Sequence, residues 1–98
     1  MLHIINKSPL ERSALESCLR VAQSGSILLI EDAVYAASRG HASAARIEDA
    51  MGRFKVFALQ ADLDARGIGD RLIDGVTAVD YGGFVGLVAE HPACHSWL

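Results

Sequence analysis

The chain is 98 residues long, 51% hydrophobic and 21% charged, with a formal net charge of −3. This length predicts one domain over residues 1–98, and the hydrophobic fraction excludes intrinsic disorder. The basic residues are scattered, and no apolar run approaches the ~20 residues that span a bilayer, so neither direct nucleic-acid binding nor a membrane segment is expected. The apolar content instead predicts contact with another subunit.

The first predicted elements are a strand over residues 2–6 and a helix that begins at Ser8. Ser8 can cap the helix, Pro9 suits its first turn, and Glu11 completes a capping box. The pattern predicts that this helix continues toward Gln23.

Further along, Gly25 is predicted to stop the first helix, and residues 26–30 form a continuous apolar run. Such a run is typical of a strand buried on both faces. Asp32 is then expected to cap a helix over residues 33–37. The remaining predicted elements are a helix over 42–51, a strand over 55–59, a helical turn over 62–66 stopped by Gly67, a strand over 76–79 and a helix over 81–90 broken at Pro92.

Strands that alternate with helices predict an α/β fold, a small doubly wound and mostly parallel sheet flanked by helices. In such folds the working groups follow the carboxyl ends of the strands. Asp32 and Asp62 stand at two of these ends, and helix capping is the simplest role for both. No glycine-rich phosphate loop follows the first strand, so no cofactor is expected.

The chain has two cysteines, too few for a disulfide framework, which favours reduced thiols in the cytosol. Cys18 lies on the apolar stripe of the first helix, and the pattern favours a small buried residue over a reactive thiol. Cys94 lies near His91 and His95, but Pro92 interrupts the spacing that a metal site would need. We therefore predict a solvated tail there and no metal.

Large apolar groups that could reach a partner form the second set of candidates. The last two residues, Trp97 and Leu98, either pack on their own domain or insert into a neighbouring chain, and self-docking is the safer expectation. The interface candidates are Tyr35, Tyr81, Phe84, Trp97 and Leu98.

Over nearly its whole length the chain resembles the DsrH/TusB family of sulfur-relay subunits. The resemblance depends on the order and spacing of several pieces, none of which is diagnostic alone. One departure is Ala33, where the family often has glycine. The matching pieces are Met-Leu-His at 1–3, Asn-Lys-Ser-Pro at 6–9, Leu-Leu-Ile-Glu-Asp-Ala-Val-Tyr-Ala-Ala at 28–37, Ala-Leu-Gln-Ala-Asp-Leu-Asp-Ala-Arg-Gly at 58–67, Val-Asp-Tyr-Gly-Gly-Phe-Val at 79–85 and Trp-Leu at 97–98.

This resemblance implies a cytoplasmic subunit of a heterohexameric sulfurtransferase complex. Its partners would be DsrE/TusD-like and DsrF/TusC-like chains, with a DsrC/TusE-like protein as sulfur acceptor or donor. The principal persulfide cysteine would belong to the DsrE/TusD-like chain. The complex would serve dissimilatory sulfur oxidation if DsrH-like, or 2-thiolation of a tRNA wobble uridine if TusB-like.

DsrH-type chains carry a cysteine in the first helix, so the resemblance favours the DsrH-like version and makes Cys18 a candidate secondary persulfide carrier. A carrier would need a thiolate, with Arg20 or a partner's cation lowering the thiol pKa. Two hypotheses follow. The chain is either a structural subunit that completes the complex or a thiol enzyme that accepts sulfur on Cys18.

Overall fold

The computed structural model describes residues 1–8 and 13–97. Five strands alternate with four α-helices and two short 3₁₀ helices in these ranges, so the predicted α/β class is confirmed. The strands are β1 (Leu2–Ile5), β2 (Gly25–Leu29), β3 (Phe54–Leu59), β4 (Thr77–Val79) and β5 (Cys94–Trp97). The helices are α1 (Ala14–Val21), α2 (Ala44–Ala50), α3 (Gln60–Ala65) and α4 (Tyr81–Glu90), with 3₁₀ helices at Glu31–Ala37 and Gly69–Arg71.

All of the strand pairs in the sheet are parallel, in the order β4-β3-β2-β1-β5. The chain adds strands in one direction from β1 to β4 and then returns to the far side of β1. Because parallel crossovers are right-handed, this reversal carries α4 onto the opposite face from the earlier helices. The sheet is therefore doubly wound, as predicted.

The larger core lies between the sheet and the helices that precede β4. Leu15 and Cys18 of α1 and Leu63 of α3 pack there against Ile27 and Leu29 of β2. The smaller core lies on the α4 face, where Leu87 packs against Leu2 and Leu28.

Alternate residues of β2 thus enter both cores, which confirms that it is buried on both faces. The deep burial follows from its position near the middle of the sheet.

The helix α1 begins at Ala14, with Ser13 in the N-cap position, whereas the prediction placed its start at Ser8. Pro9 and Glu11 of the predicted capping box lie outside the described residues. Gly25 does not stop this helix, which ends at Val21 and is followed by the extended Ala22. Gly25 instead opens β2 with a φ of 128°. A Cβ at this position would lie 2.5 Å from the carbonyl oxygen of Met1, so close strand packing explains the glycine.

We expect Gly25→Ala to destabilise the protein by roughly 2–3 kcal/mol, because alanine meets both an unfavourable φ and a backbone clash. Gly40→Ala is the matched control, since Gly40 also has a positive φ of 87° but nothing lies within 4 Å of its Cβ position. We expect it to cost only about 1 kcal/mol. Urea unfolding measures both, and equal losses would contradict the steric explanation.

The tail around His91, Cys94 and His95 is exposed to solvent over residues 92–96, as predicted, but its last residues form an ordered strand. Residues 94–97 form β5 and pair with β1, while Leu2 N–H donates to the Ala93 carbonyl oxygen over 3.0 Å. Without β5, one side of β1 would present unpaired backbone groups, which an added strand satisfies. The expectation that Trp97 docks on its own chain is confirmed, since it packs against the larger core.

Candidate functional site

The first candidate, Cys18, lies inside the larger core. Its relative exposure is 0%, because α1 places it with Ala14 and Leu15 on the side that faces the sheet. Burial raises the pKa of the Cys18 thiol from 9.0 to about 11, and the positive charge of Arg53 lowers it by less. Only about one molecule in ten thousand would hold the thiolate at pH 7.

The cation that acts on Cys18 is Arg53 rather than the predicted Arg20, which is exposed. The Arg53 guanidinium donates to the carbonyl oxygens of Leu19 and Ala22, over 3.0 and 3.1 Å. These carbonyls lie at the C-terminal end of α1, where a cation interacts favourably with the helix dipole. Arg53 therefore stabilises the helix end more than it activates the thiol.

Charged residues at the carboxyl edge of the sheet bind one another. Arg66 donates to Asp32 Oδ1 from Nε and Nη2, over 3.0 and 2.7 Å, and its guanidinium lies 6.0 Å from the centre of the Tyr35 ring. Asp62 Oδ2 accepts from Glu31 N–H over 2.7 Å. Glu31 has a φ of 51°, a conformation that non-glycine residues seldom adopt.

These contacts change the capping roles that were predicted. Asp32 makes no capping bond and instead pairs with Arg66, while residue Ile30 occupies the N-cap position of the 3₁₀ helix. Asp62 does cap a helix, but not α3, to which it belongs. It accepts from Glu31 N–H at the start of the 3₁₀ helix Glu31–Ala37. Within the described ranges, no group of three or more His, Cys, Asp or Glu could hold a metal ion.

The helix α4 is capped at both ends by side chains. Asp80 Oδ1 accepts from Gly83 N–H over 2.7 Å, which satisfies a donor in the first turn. At the other end, His91 Nδ1 lies 2.6 Å from the Leu87 carbonyl oxygen and Nε2 lies 3.1 Å from Ser26 Oγ. Donation from Nδ1 to the carbonyl leaves Nε2 to accept from the serine hydroxyl, so His91 ties the helix end to β2.

Two sides of α4 are apolar. The inner side packs Phe84 and Leu87 against the sheet, and the outer side leaves Tyr81, Val85 and Val88 exposed by 63%, 67% and 40%. Residues 81–89 carry no charge. A helix that is apolar on both sides is normally buried on both sides, so this outer side, which we call the α4 surface (Tyr81, Val85 and Val88), is a candidate docking surface.

The five interface candidates predicted from the sequence differ in their exposure and surroundings. Tyr81 belongs to the α4 surface, whereas Phe84 packs on its own sheet and Tyr35 is half-buried beside Arg66. Trp97 is also half-buried, and Leu98 lies outside the described residues. The sequence reasoning missed Val85 and Val88, although the long uncharged stretch of the last helix was a usable signal.

One family of known proteins matches most of the chain. A model described as "DsrH like protein" matches residues 7–94. The chain belongs to the DsrH family. The predicted resemblance is therefore confirmed.

Relatives of this DsrH-family chain include "Protein TusB" from Enterobacter sp. (strain 638), which is 37% identical over 98 residues. That alignment covers 99% of this chain and 100% of the relative. "Protein TusB" from Escherichia coli (strain K12) is 31% identical over 97 residues, with the same coverage. Near-complete coverage on both sides means that the likeness is not confined to one motif.

Two solved structures are similar to this DsrH-family chain in fold. The crystal structure of the ychN protein from E. coli has a TM-score of 0.83 and 22% identity, covering 97% of each chain. A protein of unknown function from Methanobacterium thermoautotrophicum has a TM-score of 0.67 and 22% identity, covering 97% of this chain and 95% of its own. These likenesses support the parallel α/β fold.

Family membership supports a sulfur-relay subunit, and the names of the relatives favour the TusB-like alternative over the DsrH-like version. The preference for DsrH came from the cysteine in the first helix, which lies buried in the core. Among residues 1–8 and 13–97, no helix is long and apolar enough to cross a membrane.

Proposed function

We propose that this chain is the TusB-like subunit of a cytoplasmic sulfur-relay complex and that its own role is to complete the assembly. Its partners are TusC/DsrF-like and TusD/DsrE-like chains, and persulfide sulfur is carried on the TusD/DsrE-like one. A TusE/DsrC-like protein exchanges sulfur with the complex, which serves 2-thiolation of a tRNA wobble uridine. The full-length similarity to proteins named TusB supports this choice of pathway.

The α4 surface is the observation that carries the assembly role. Tyr81, Val85 and Val88 are large apolar side chains on one side of a helix that carries no charge from residue 81 to residue 89. Exposed apolar patches of this kind mark protein–protein interfaces. A related chain that covers this side would give α4 apolar contacts on both sides.

The carrier hypothesis for Cys18 stays a prediction, and the geometry argues against it. A cysteine that accepts sulfur from a persulfide donor must present an accessible thiolate. Cys18 is instead fully buried, and its pKa is raised to about 11. Sulfur could reach this thiol only if α1 moved away from the sheet. We therefore assign the chain a structural role.

The test is to co-express the tagged chain with TusC-like and TusD-like chains and to incubate the purified complex with a persulfide donor. Native mass spectrometry gives the composition, and intact-mass analysis locates any sulfur that a reductant removes. We expect one stable complex, with added sulfur on the TusD-like chain and none on this chain.

Two results would overturn the proposal. A chain that remains monomeric beside both partners has no assembly role. Added sulfur on this chain, lost in a Cys18→Ser variant that still assembles, would make Cys18 a carrier and the chain a thiol enzyme.

A further inference from the structure

The C-terminal strand β5 has a strand neighbour on one side only. It lies at the edge of the sheet and pairs with β1. Cys94, His95 and Ser96 are exposed, and Trp97 is the residue of β5 that packs against the larger core. Apart from its backbone pairing with β1, the attachment of this strand therefore depends on what holds Trp97.

Trp97 is held by a histidine of the neighbouring strand. Its Nε1–H donates to His3 Nδ1 over 3.1 Å. His3 is only 5% exposed, and the Phe54 ring meets it edge-on at 6.2 Å. The His95 ring lies 4.6 Å from the Trp97 ring and 6.5 Å from the His3 ring, measured between centroids.

This hydrogen bond requires a neutral histidine. An indole N–H can only donate, so His3 Nδ1 must carry a lone pair and the ring proton must reside on Nε2. A proton on Nδ1 would place two donors face to face. We propose that His3 and Trp97 form a proton-sensitive latch, in which neutral His3 holds β5 on the sheet and protonation of His3 releases the strand.

The surroundings of His3 do not offset a positive charge. His95 faces it from β5 and the Met1 amino group from the start of the chain, and both disfavour the cation. Arg53 adds a further cation behind Phe54, with its guanidinium carbon 5.0 Å from the ring centre.

The helix α1 and the loop that follows it contribute uncharged residues to the groove between α1 and β5. These residues are Val21, Ala22, Gln23 and Ser24. No carboxylate lines this groove within the described ranges. Burial, followed by His95 and the amino group, accordingly lowers the pKa of His3 below 6.5.

Proton linkage then gives the direction of the effect. Released β5 exposes His3, which regains a pKa near 6.5, whereas the docked state binds the proton less readily. Docking is therefore strongest above pH 6.5. Below it, the docking equilibrium constant falls by up to about tenfold per pH unit, until the docked His3 itself is protonated.

Trp97 is the only tryptophan of the chain, so its emission reports on β5 directly. The full chain is titrated from pH 8 to pH 5, recording the emission maximum, acrylamide quenching and amide exchange of residues 94–97. As the pH falls through 6.5, we expect red-shifted emission, easier quenching and loss of amide protection in β5. Far-UV circular dichroism should keep its helical signal, because the helices do not depend on the latch.

The variant His3→Gln distinguishes the contribution of His3 from that of His95, because a glutamine can accept from the indole N–H and does not titrate. We expect this variant to lose the pH dependence and His95→Gln to keep most of it. A transition that survives in His3→Gln, or no change in wild-type emission and exchange down to pH 5, would overturn the latch. If His3→Gln does not fold, nitrogen chemical shifts of wild-type His3 decide, because Nδ1 must be unprotonated while β5 is docked.

Discussion

A Val85→Arg variant is expected to fold as the wild type does and to lose its affinity for the partner chains. Val85 is 67% exposed in the middle of the α4 surface, so the isolated chain can hold an arginine there in water. In the complex that guanidinium would be desolvated within an apolar contact and left unpaired, at a cost of about 3–4 kcal/mol. The corresponding loss of affinity is several hundred-fold.

Val21→Arg is the matched control for this prediction. Val21 is 70% exposed but lies at the end of α1, on the opposite face of the sheet from α4. We expect Val21→Arg to assemble with the partner chains as the wild type does. Val85→Arg should retain no partner chain in a pull-down and should appear as the free chain in native mass spectrometry. If Val85→Arg assembled as well as Val21→Arg does, the α4 surface would not be the interface.

The two cysteines are expected to differ strongly in reactivity. Cys18 is buried with its thiol pKa raised to about 11, whereas Cys94 is exposed on the edge strand. At pH 8, a pKa of 11 instead of 9 lowers the thiolate fraction about a hundredfold, and burial blocks the reagent in addition. In a Cys94→Ser background, we expect iodoacetamide to modify native Cys18 at least ~100-fold more slowly than urea-unfolded Cys18.

The reverse background, Cys18→Ser, leaves exposed Cys94 as the control, and its native and unfolded rates should be similar. Intact-mass analysis follows both reactions. Fast alkylation of native Cys18 would revive the carrier hypothesis, because a thiol that iodoacetamide reaches is also open to a persulfide donor.

The raised Cys18 pKa also predicts a change of stability with pH. The unfolded thiol ionises near pH 9 and the folded thiol near pH 11. The contribution of Cys18 to the free energy of unfolding is therefore complete below pH 9. It falls by up to about 1.4 kcal/mol per unit as the pH rises from 9 to 11. Between pH 9 and pH 11, the urea concentration at the unfolding midpoint should fall for the wild type and approach the midpoint of Cys18→Ala.

Features with a local cause could be predicted well from the sequence. The last helix spans residues 81–90, as predicted, because Asp80 begins it and Pro92 prevents its continuation. Gly67 follows α3 with a φ of 65°, the conformation expected of a glycine that stops a helix. These signals act within one turn of backbone and do not depend on distant contacts.

Other features had no local signal. The stretch that forms β5 is only four residues long and shows no strand periodicity, and it forms a strand because β1, more than 90 residues earlier, presents a free edge. Asp62 caps a helix 31 positions away, a partnership that spacing along the chain cannot reveal. The exposure of Val85 and Val88 likewise depends on which side of α4 the sheet covers.

The sequence by itself determined the α/β class, the burial of β2, the extent of the last helix and the family, since these follow from hydrophobic pattern, end signals and shared residues. The tertiary structure decided that Trp97 is held by His3 and that one side of α4 remains uncovered. Each of these depends on which surfaces meet across the sheet. That arrangement is set by strand order and register, which bring together residues far apart in the chain.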